Sequence, residues 1–317
     1  MCDEKTKIAP TERPKWFAAV LLLSSSALWG ASFIFTKDLF LNTPHVTTQV
    51  IITGRLLVAT LCFMPYLAAT HRLPRLQGKD VGLFMVMALL EPFLYHLCET
   101  SGIALVSGSL SSIIIALIPL FIPFSMVLRF HEKLQGNQIL GVMVSILGIC
   151  MMIVGPGFTL LASPKGLMLL FSAVIVALIY NMLLYHVIGR YSPFAITAYT
   201  NVFALFYFIP LLLVSDHAVL PLIHISPRFI FDIVFLGIFC STFAYVFYNY
   251  GYRAIGATRA ASYNNLIPVF SLLLALAIGQ ERLTPMKAAG MAVVVGGLFL
   301  AQRESRAKKK VSRLAEH

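Results

Sequence analysis

Four side chains that ionise or form hydrogen bonds interrupt one apolar run, in the segment EPFLYHLCET: Glu91, Tyr95, His96 and Glu99. The first, second and fourth are four residues apart and share one helix face, which His96 can join from three residues before Glu99. An imidazole that titrates near neutral pH, beside a carboxylate, can carry a coupling proton or hold a substrate ammonium. The alternative is structural: Arg55 neutralises the carboxylates, and His96 bonds a backbone carbonyl.

A second polar stripe, phenolic rather than acidic, lies 149 residues further along the chain. Tyr245 stands where His96 stands in the first stripe, and Tyr248 stands where Glu99 does. Two stripes at equivalent positions favour one shared cavity with an acidic wall and a phenolic wall. We therefore expect five of these residues to contact a substrate: Tyr95, His96, Glu99, Tyr245 and Tyr248.

Three further residues within apolar runs are candidates for substrate contact. Arg55 is the one basic residue deep in a run, and its guanidinium can bind a carboxylate through two bonds, either on the substrate or on the acidic stripe. Trp29, in the segment LWGAS, can stack on an aromatic or cationic substrate. Asn265 lies three residues before Pro268, which removes a backbone donor and frees carbonyls in a helix.

The whole chain has the composition of a polytopic membrane protein. Of its 317 residues, 59% are hydrophobic and 12% are charged, whereas a typical soluble domain has about 25% charged residues. Ten runs are apolar and long enough to cross a bilayer. They lie near 17–37, 46–69, 81–104, 109–130, 138–156, 166–189, 194–214, 229–253, 258–279 and 286–302. The expected fold is all-α and integral to the membrane, with ten transmembrane helices joined by short loops.

The basic residues indicate how these helices are oriented. With both termini in the cytoplasm, eighteen Lys and Arg residues fall in cytoplasmic segments, five fall outside, and Arg55 lies within a helix. Such an excess is typical of the cytoplasmic side of membrane proteins. The net charge of +11 therefore reflects topology and contact with the lipid bilayer, and no nucleic-acid partner is expected.

The two halves of the chain repeat one another. A shift of 149 residues aligns LIPLF at 117–121 with LIPVF at 266–270. Each half holds five helices, an odd number, so the second half enters the membrane inverted, which is a transporter architecture. We expect one repeat at 17–156 and one at 165–303, with cytoplasmic segments at 1–16 and 304–317.

Two pairs of repeated residues are candidates for the moving parts of a transporter. Pro119 and Pro268 lie at equivalent depths and can act as hinges, or they are kinks that persisted after a duplication. Glu132 and Glu281, each followed by a basic residue, can lock two gates by pairing with facing loops, or they are solvated loop charges.

Several motifs resemble those of the drug/metabolite transporter superfamily, EamA type: ALWGASFIFTK, GRLLVATL, ALIPLF with HEKLQGNQILGVMVSILGI, and NLIPVF with QERLTPMKAAGMAVVVGGL. The resemblance covers roughly 17–302 and implies a ten-helix secondary transporter. It implies amino acids or related metabolites, drugs, or sugars and nucleotide-sugars as substrates. It also includes an Arg at the Arg55 position near a membrane interface, which favours a structural role. EPFLYHLCET is more charged than the usual apolar and aromatic version of this helix.

Other classes of function lack their motifs. The segment HEKLQ lacks the second His of a zinc-protease motif, and no phosphate-binding GxxxxGK[ST] loop is present. The five cysteines are not at metal spacing, so neither a metal nor a cofactor is expected. An intramembrane enzyme, a channel and a non-transporting sensor remain as alternatives. The sequence predicts a secondary transporter for a small organic solute, most simply an amino-acid exporter of a prokaryotic inner membrane. Protons are a candidate coupling ion, and no oligomeric state is indicated.

Overall fold

A computed structural model describes residues 15–69, 76–121, 136–153, 162–282 and 284–302. Every regular element in these ranges is a helix, so the predicted all-helical class is confirmed. Seven of the helices are long and apolar enough to cross a membrane, and three shorter apolar helices accompany them. The chain is therefore a multi-pass integral membrane protein.

The helices are labelled α1 to α10 in chain order. They are α1 Lys15–Asn42, α2 Thr48–Ala69, α3 Gly78–Leu105, α4 Gly108–Phe121, α5 Gly136–Ile153, α6 Pro164–Val187, α7 Pro193–Ser215, α8 Pro227–Ile255, α9 Ala257–Tyr263 continued as Ile267–Ala277, and α10 Pro285–Gln302. The rest of the predicted fourth span, and Glu132 after it, lie outside the described residues.

Serine side chains cap the N-termini of four helices. Each accepts a hydrogen bond from the backbone N–H three residues later, at 3.1 to 3.4 Å: Ser107, Ser163, Ser192 and Ser226. This contact satisfies a backbone donor that has no partner inside the helix. In α6, α7 and α8 a proline follows the serine at the first helical position, where its missing N–H carries no penalty. The loops before α6, α7 and α8 therefore end at a Ser-Pro pair in the sequence.

Helices α3 and α8 both widen into a π-helical segment in the middle of their length. These segments are Leu89–Leu94 and Leu236–Phe243, and the 149-residue shift maps the first one inside the second. Glu91, with φ −140° and ψ 117°, has left the helical region altogether. π-helical insertions are frequent at functional sites because they redirect side chains.

The two repeated prolines begin new helical segments. In α4 the first segment ends at Ile115, and Pro119 is the second residue of the next one. In α9 a 3-10 turn, Asn264–Leu266, precedes the segment in which Pro268 is again the second residue. Proline is tolerated in a first turn because its missing N–H has no partner there in any case. Both helices are thus interrupted at equivalent positions.

Two glycine contacts bring α5 and α10 close together. A Cβ added at Gly148 would lie 2.6 Å from the carbonyl oxygen of Gly290, and one at Gly297 would lie 2.7 Å from that of Gly141. The 149-residue shift exchanges these two contacts. Between them, Ser145 Oγ donates to the carbonyl of Val294, its own counterpart under the shift, at 3.3 Å.

Three more helix pairs pack closely. Helix α1 packs on α8, α3 packs on α6, and α2 packs on α7. Gly102 of α3 contacts Leu170 of α6, and the equivalent Gly251 of α8 contacts Leu22 of α1. Each of these two glycine contacts is thus the counterpart of the other under the repeat. The helices that make them surround a central space.

Candidate functional site

A cavity lies between α1, α2, α3, α4, α6, α8 and α9. The space that its lining atoms leave empty is about 760 Å³, including the part that is open to solvent. Seven of the eight predicted contact residues line it: Trp29, Arg55, Tyr95, His96, Glu99, Tyr245 and Tyr248. The two polar stripes thus meet in one space.

The carboxylate of Glu99 is fully engaged by its own helix. The hydroxyl of Tyr95 donates to Glu99 Oε1 at 2.7 Å, and His96 Nδ1 lies 2.9 Å from Glu99 Oε2. All three side chains are buried. The stripe spacing in the sequence therefore produces a compact cluster in which each oxygen of Glu99 already has a hydrogen-bond partner.

Tyr245 links α8 to the acidic helix. Its hydroxyl donates to Glu91 Oε1 at 2.7 Å and lies 3.4 Å from His96 Nε2. No hydrogen bond to Glu91 Oε2 is found within the described ranges. Since the backbone at Glu91 is non-helical, its carboxylate turns into the cavity beside the phenol. Glu91 is thus the acidic group with an open oxygen.

Arg55 is 2% exposed, and its Nε donates to Ser241 Oγ at 2.7 Å. Asn201 holds the same stretch of α8 through a 3.2 Å bond to the carbonyl of Ser241. In the part of the chain that the structure covers, the two Nη groups of Arg55 donate no hydrogen bond and form no ion pair with a carboxylate. The guanidinium therefore presents two free donor groups to the cavity that it lines.

Aromatic rings form another wall. The ring of Trp29 packs on Tyr245 at 5.1 Å and 76°, and on Tyr248 at 5.2 Å and 53°. Tyr180 and Phe33 line the same space. The faces of such rings attract cations, and their apolar area favours organic solutes over small ions.

Asn265 is buried away from the cavity, whereas its neighbour Asn264 lines it. A 3-10 turn advances each side chain by about 120° rather than the 100° of an α-helix. The asparagine that lines the cavity is therefore Asn264, one residue before the predicted Asn265. Both amide atoms of Asn265 are without a hydrogen-bond partner among the described residues.

The structure adds residues to the site that the sequence pattern does not select. They are Glu91, Tyr180, Asn181, Asn249 and Asn264. Three of these have a signal in the sequence: Glu91 belongs to the acidic stripe, and Tyr180 with Asn181 lies at the place in α6 that matches Trp29 of α1 across the repeat. In the described ranges, no group of three or more His, Cys, Asp or Glu residues is placed to hold a metal ion.

Glu281 joins the end of α9 to the start of α4. Its carboxylate accepts hydrogen bonds from the backbone N–H of Ser109 at 3.0 Å and from the Ser109 hydroxyl at 2.6 Å. A carboxylate at a helix N-terminus is favoured by the helix dipole. Lys287 lies 3.5 Å from the same carboxylate. Glu281 thus holds the start of α4 and the start of α10 at the end of α9.

Ion pairs tie helices together at both ends of the molecule. Asp38, in the last turns of α1, accepts two bonds from Arg228 at the start of α8. Asp80, at the start of α3, accepts bonds from Arg190 and Tyr191 after α6. Burial and the bond to Asp80 raise the pKa of the Tyr191 hydroxyl, so it stays a donor. Both pairs join helices that pack along their length.

Comparison with known proteins places the chain among transporters. The model of the EamA-like transporter family matches residues 16–154 and again 164–302. An uncharacterized transporter of Archaeoglobus fulgidus is 25% identical over 293 residues, which are 92% of this chain and 99% of that protein. The uncharacterized transporter YetK of Bacillus subtilis is 22% identical over 291 residues, 89% of this chain and 86% of its own.

A solved crystal structure shares the fold. It matches with a TM-score of 0.63 at 16% identity, covering 88% of this chain and 98% of the other. The names of the relatives agree with the predicted transporter and not with an enzyme. The two stretches matched by the family model span most of the sequence. The chain therefore belongs to the EamA-like transporter family, within the drug/metabolite transporter superfamily.

Proposed function

We propose that this protein is a secondary active transporter for a small organic zwitterion, an amino acid or a related metabolite, and that the central cavity is its binding site. The observation that carries the proposal is the pairing of opposite charges in one buried space. Among the described residues, Arg55 has guanidinium donors without a partner, and Glu91 has one carboxylate oxygen without a partner. A solute with one carboxylate and one ammonium satisfies both.

Energetics favour such a solute over an uncharged one. A buried ion without a partner costs several kcal/mol, because the protein replaces only part of its hydration. A carboxylate on Arg55 and an ammonium on Glu91 offset that cost through charge-assisted hydrogen bonds. Trp29, Tyr245 and Tyr248 give the ammonium aromatic faces as a further partner. An organic amine is the second candidate, since its ammonium can bind Glu91 and the aromatic rings in the same way. An amine without a carboxylate leaves Arg55 without a partner.

The architecture in the proposal is two inverted repeats of five transmembrane helices, at 17–156 and 165–303, with both termini in the cytoplasm. Reciprocal contacts support it, because the 149-residue shift exchanges the glycine contacts of α5 and α10. The excess of basic residues in the segments assigned to the cytoplasm supports the orientation. We place the protein in a prokaryotic inner membrane and take export as its direction.

Alternating access is the proposed mechanism. Inverted repeats can exchange inward-open and outward-open shapes around a site at their interface. The interruptions at Pro119 and Pro268 are the proposed hinges, because a helix bends most easily where its hydrogen-bond ladder is already broken. The bond from Ser109 to Glu281 is the proposed lock of one gate. Glu132 remains the sequence-based candidate for the other.

Counterflow in proteoliposomes tests the proposal. The purified chain is given a zwitterionic amino acid, the matching decarboxylated amine and the matching deaminated acid, each with a labelled tracer. We expect saturable exchange of the zwitterion and weaker exchange of the other two. Exchange of the amine alone moves the assignment to the second candidate. A protein that exchanges none of them is not the proposed transporter.

A further inference from the structure

Four side chains form a continuous line from one half of the protein to the other. Glu99 Oε2 lies 2.9 Å from His96 Nδ1, His96 Nε2 lies 3.4 Å from the Tyr245 hydroxyl, and that hydroxyl lies 2.7 Å from Glu91 Oε1. Three of them are nine-tenths or more buried: His96, Glu99 and Glu91. The middle contact joins α3 to α8, through two residues that are equivalent under the repeat.

The number of protons that these four side chains carry decides how many of their three contacts are hydrogen bonds. Three contacts need one proton each to become hydrogen bonds. A neutral imidazole carries one ring proton, a phenol carries one, and two carboxylates carry none. The line therefore lacks one proton when both Glu91 and Glu99 are ionised and His96 is neutral. One additional proton completes all three bonds and removes one negative charge from the buried space.

We propose that Glu99, His96, Tyr245 and Glu91 hold one exchangeable proton and pass it between the two carboxylates. The inference rests on the proposed transport function, since the proton is the one to which solute movement is coupled. Placing it here accounts for two acids and an imidazole that a single tyrosine connects in the membrane interior. Ionisable groups inside a membrane commonly mark such proton pathways.

The transfer step is balanced at each atom. The carboxyl proton of Glu99 moves to His96 Nδ1, and the proton on His96 Nε2 moves to the oxygen of Tyr245. At the same time the hydroxyl proton of Tyr245 moves to Glu91 Oε1. Glu99 ends as a carboxylate and Glu91 ends as a carboxylic acid, while His96 changes its neutral tautomer and Tyr245 is a phenol before and after. No net charge builds up on the ring groups.

The other charged and titratable groups around these four side chains do not interrupt the contacts between them. The hydroxyl of Tyr95 bonds the second oxygen of Glu99, outside the path. Arg55 from α2, Tyr180 from α6 and Tyr248 from α8 line the same cavity. None of these three is hydrogen-bonded to Glu91, His96 or Glu99 in the structure as described.

The proton and the solute would alternate at Glu91. A solute ammonium needs the ionised carboxylate, so it binds when the proton lies on Glu99. Return of the proton to Glu91 removes the charge that holds the ammonium and promotes its release. The contact between His96 and Tyr245, which is the longest of the three, is the step that movement of α3 against α8 lengthens or shortens.

A spectroscopic proton count tests the chain without any knowledge of the solute. Nitrogen NMR of the labelled protein in lipid bilayers reads the protons on the His96 ring, with signals assigned through His96→Gln. Infrared absorption reads protonated carboxyl groups, assigned through Glu91→Gln and Glu99→Gln. We expect one extra proton on these groups at neutral pH. Both acids ionised with a neutral His96, in acidic as well as alkaline buffer, would overturn the proposal.

The path itself is tested by the number of protons moved per solute. In proteoliposomes with an internal pH dye and a labelled zwitterion, we expect Tyr245→Phe to lower this ratio at least about tenfold. Tyr250→Phe is the matched control, because it removes a hydroxyl from the same helix at a residue that packs on Phe17 and does not line the cavity. A ratio that Tyr245→Phe leaves unchanged, or a native protein that moves solute without protons, contradicts the relay and leaves transport standing. Failure to move any zwitterion contradicts the proposed function, and the proton count then decides the relay by itself.

Discussion

Glu91 and Glu99 lie on one helix and line one cavity, yet their surroundings differ. Glu99 has both oxygens bonded, to Tyr95 and His96 of its own helix. Glu91 has one oxygen bonded to Tyr245 and the other open to the cavity. Since a solute ammonium needs an available acceptor, Glu91 is the proposed ammonium ligand, and Glu99 is the proposed holder of the proton.

This difference predicts that two conservative substitutions affect different properties, one mainly solute binding and the other mainly stability. Glu91→Gln should weaken zwitterion binding at least tenfold, because a hydrogen bond to a charged group contributes about 1.5–3 kcal/mol and a factor of ten is about 1.4 kcal/mol. Glu99→Gln should change binding less but lower stability, because Tyr95 and His96 lose a shared charged partner. Calorimetric titration and thermal unfolding of both variants check this, and the reverse order of effects would contradict it.

Substitutions of Arg55 test whether its guanidinium binds the carboxylate of the solute. Arg55→Met should abolish the preference for a zwitterion over its decarboxylated amine, since the free guanidinium donors are the proposed carboxylate ligands. Arg55→Lys should restore part of it, because lysine keeps the charge but not the planar pair of donors. Competition of both solutes for exchange measures the preference. Arg228→Lys, at an end of the molecule, is the control. An unchanged preference in Arg55→Met supports the structural role that the family resemblance implies.

At the scale of helices, interruptions decide where the functional side chains lie. The 3.6-residue period of the sequence predicts the stripe of Tyr95, His96 and Glu99 correctly, because these residues lie within one regular helix. It does not predict the π-helical segment that turns Glu91 inward, or the 3-10 turn that exposes Asn264 in place of Asn265. Such changes of helix type depend on packing against other helices, which a periodic pattern does not contain.

The contact between α5 and α10 gives a prediction on stability. Gly148→Ala places a methyl 2.6 Å from the carbonyl oxygen of Gly290, so the helices must separate, and overpacking of this kind costs about 1–3 kcal/mol. Gly296→Ala, on the same pair of helices, meets nothing within 4 Å and should be neutral or stabilising. Thermal unfolding in detergent distinguishes them. Equal unfolding temperatures for the two variants would show that the close approach is absent.

The lock at Glu281 gives a prediction on access. In the proposed gate, Glu281→Ala loses the bonds to Ser109, and a hydrogen bond to a charged group contributes about 1.5–3 kcal/mol, so the cavity should open to that side more often. A cysteine at cavity residue Ser32, with the natural cysteines replaced, should then react severalfold faster with a thiol reagent added from that side. Arg282→Ala in the same loop is the control. A rate that does not rise in Glu281→Ala, or rises equally in Arg282→Ala, rules out the lock.

At the scale of the whole molecule, two hydrogen-bonding contacts between described residues join positions that are 149 apart. Ser145 bonds Val294, and His96 meets Tyr245. Two related halves can touch at equivalent residues only along the axis that relates them, so both contacts mark one line through the protein. The cavity lies on that line, which is where the alternating access proposed above carries a solute from one side of the membrane to the other.

The most direct test of this account is exchange of one zwitterion across proteoliposome membranes by the native chain and by a variant that carries both Arg55→Met and Glu91→Gln. We expect saturable exchange by the native protein and none by the variant, with the variant still folded by thermal unfolding. Exchange by both at equal rates would mean that the central cavity is not the transport site.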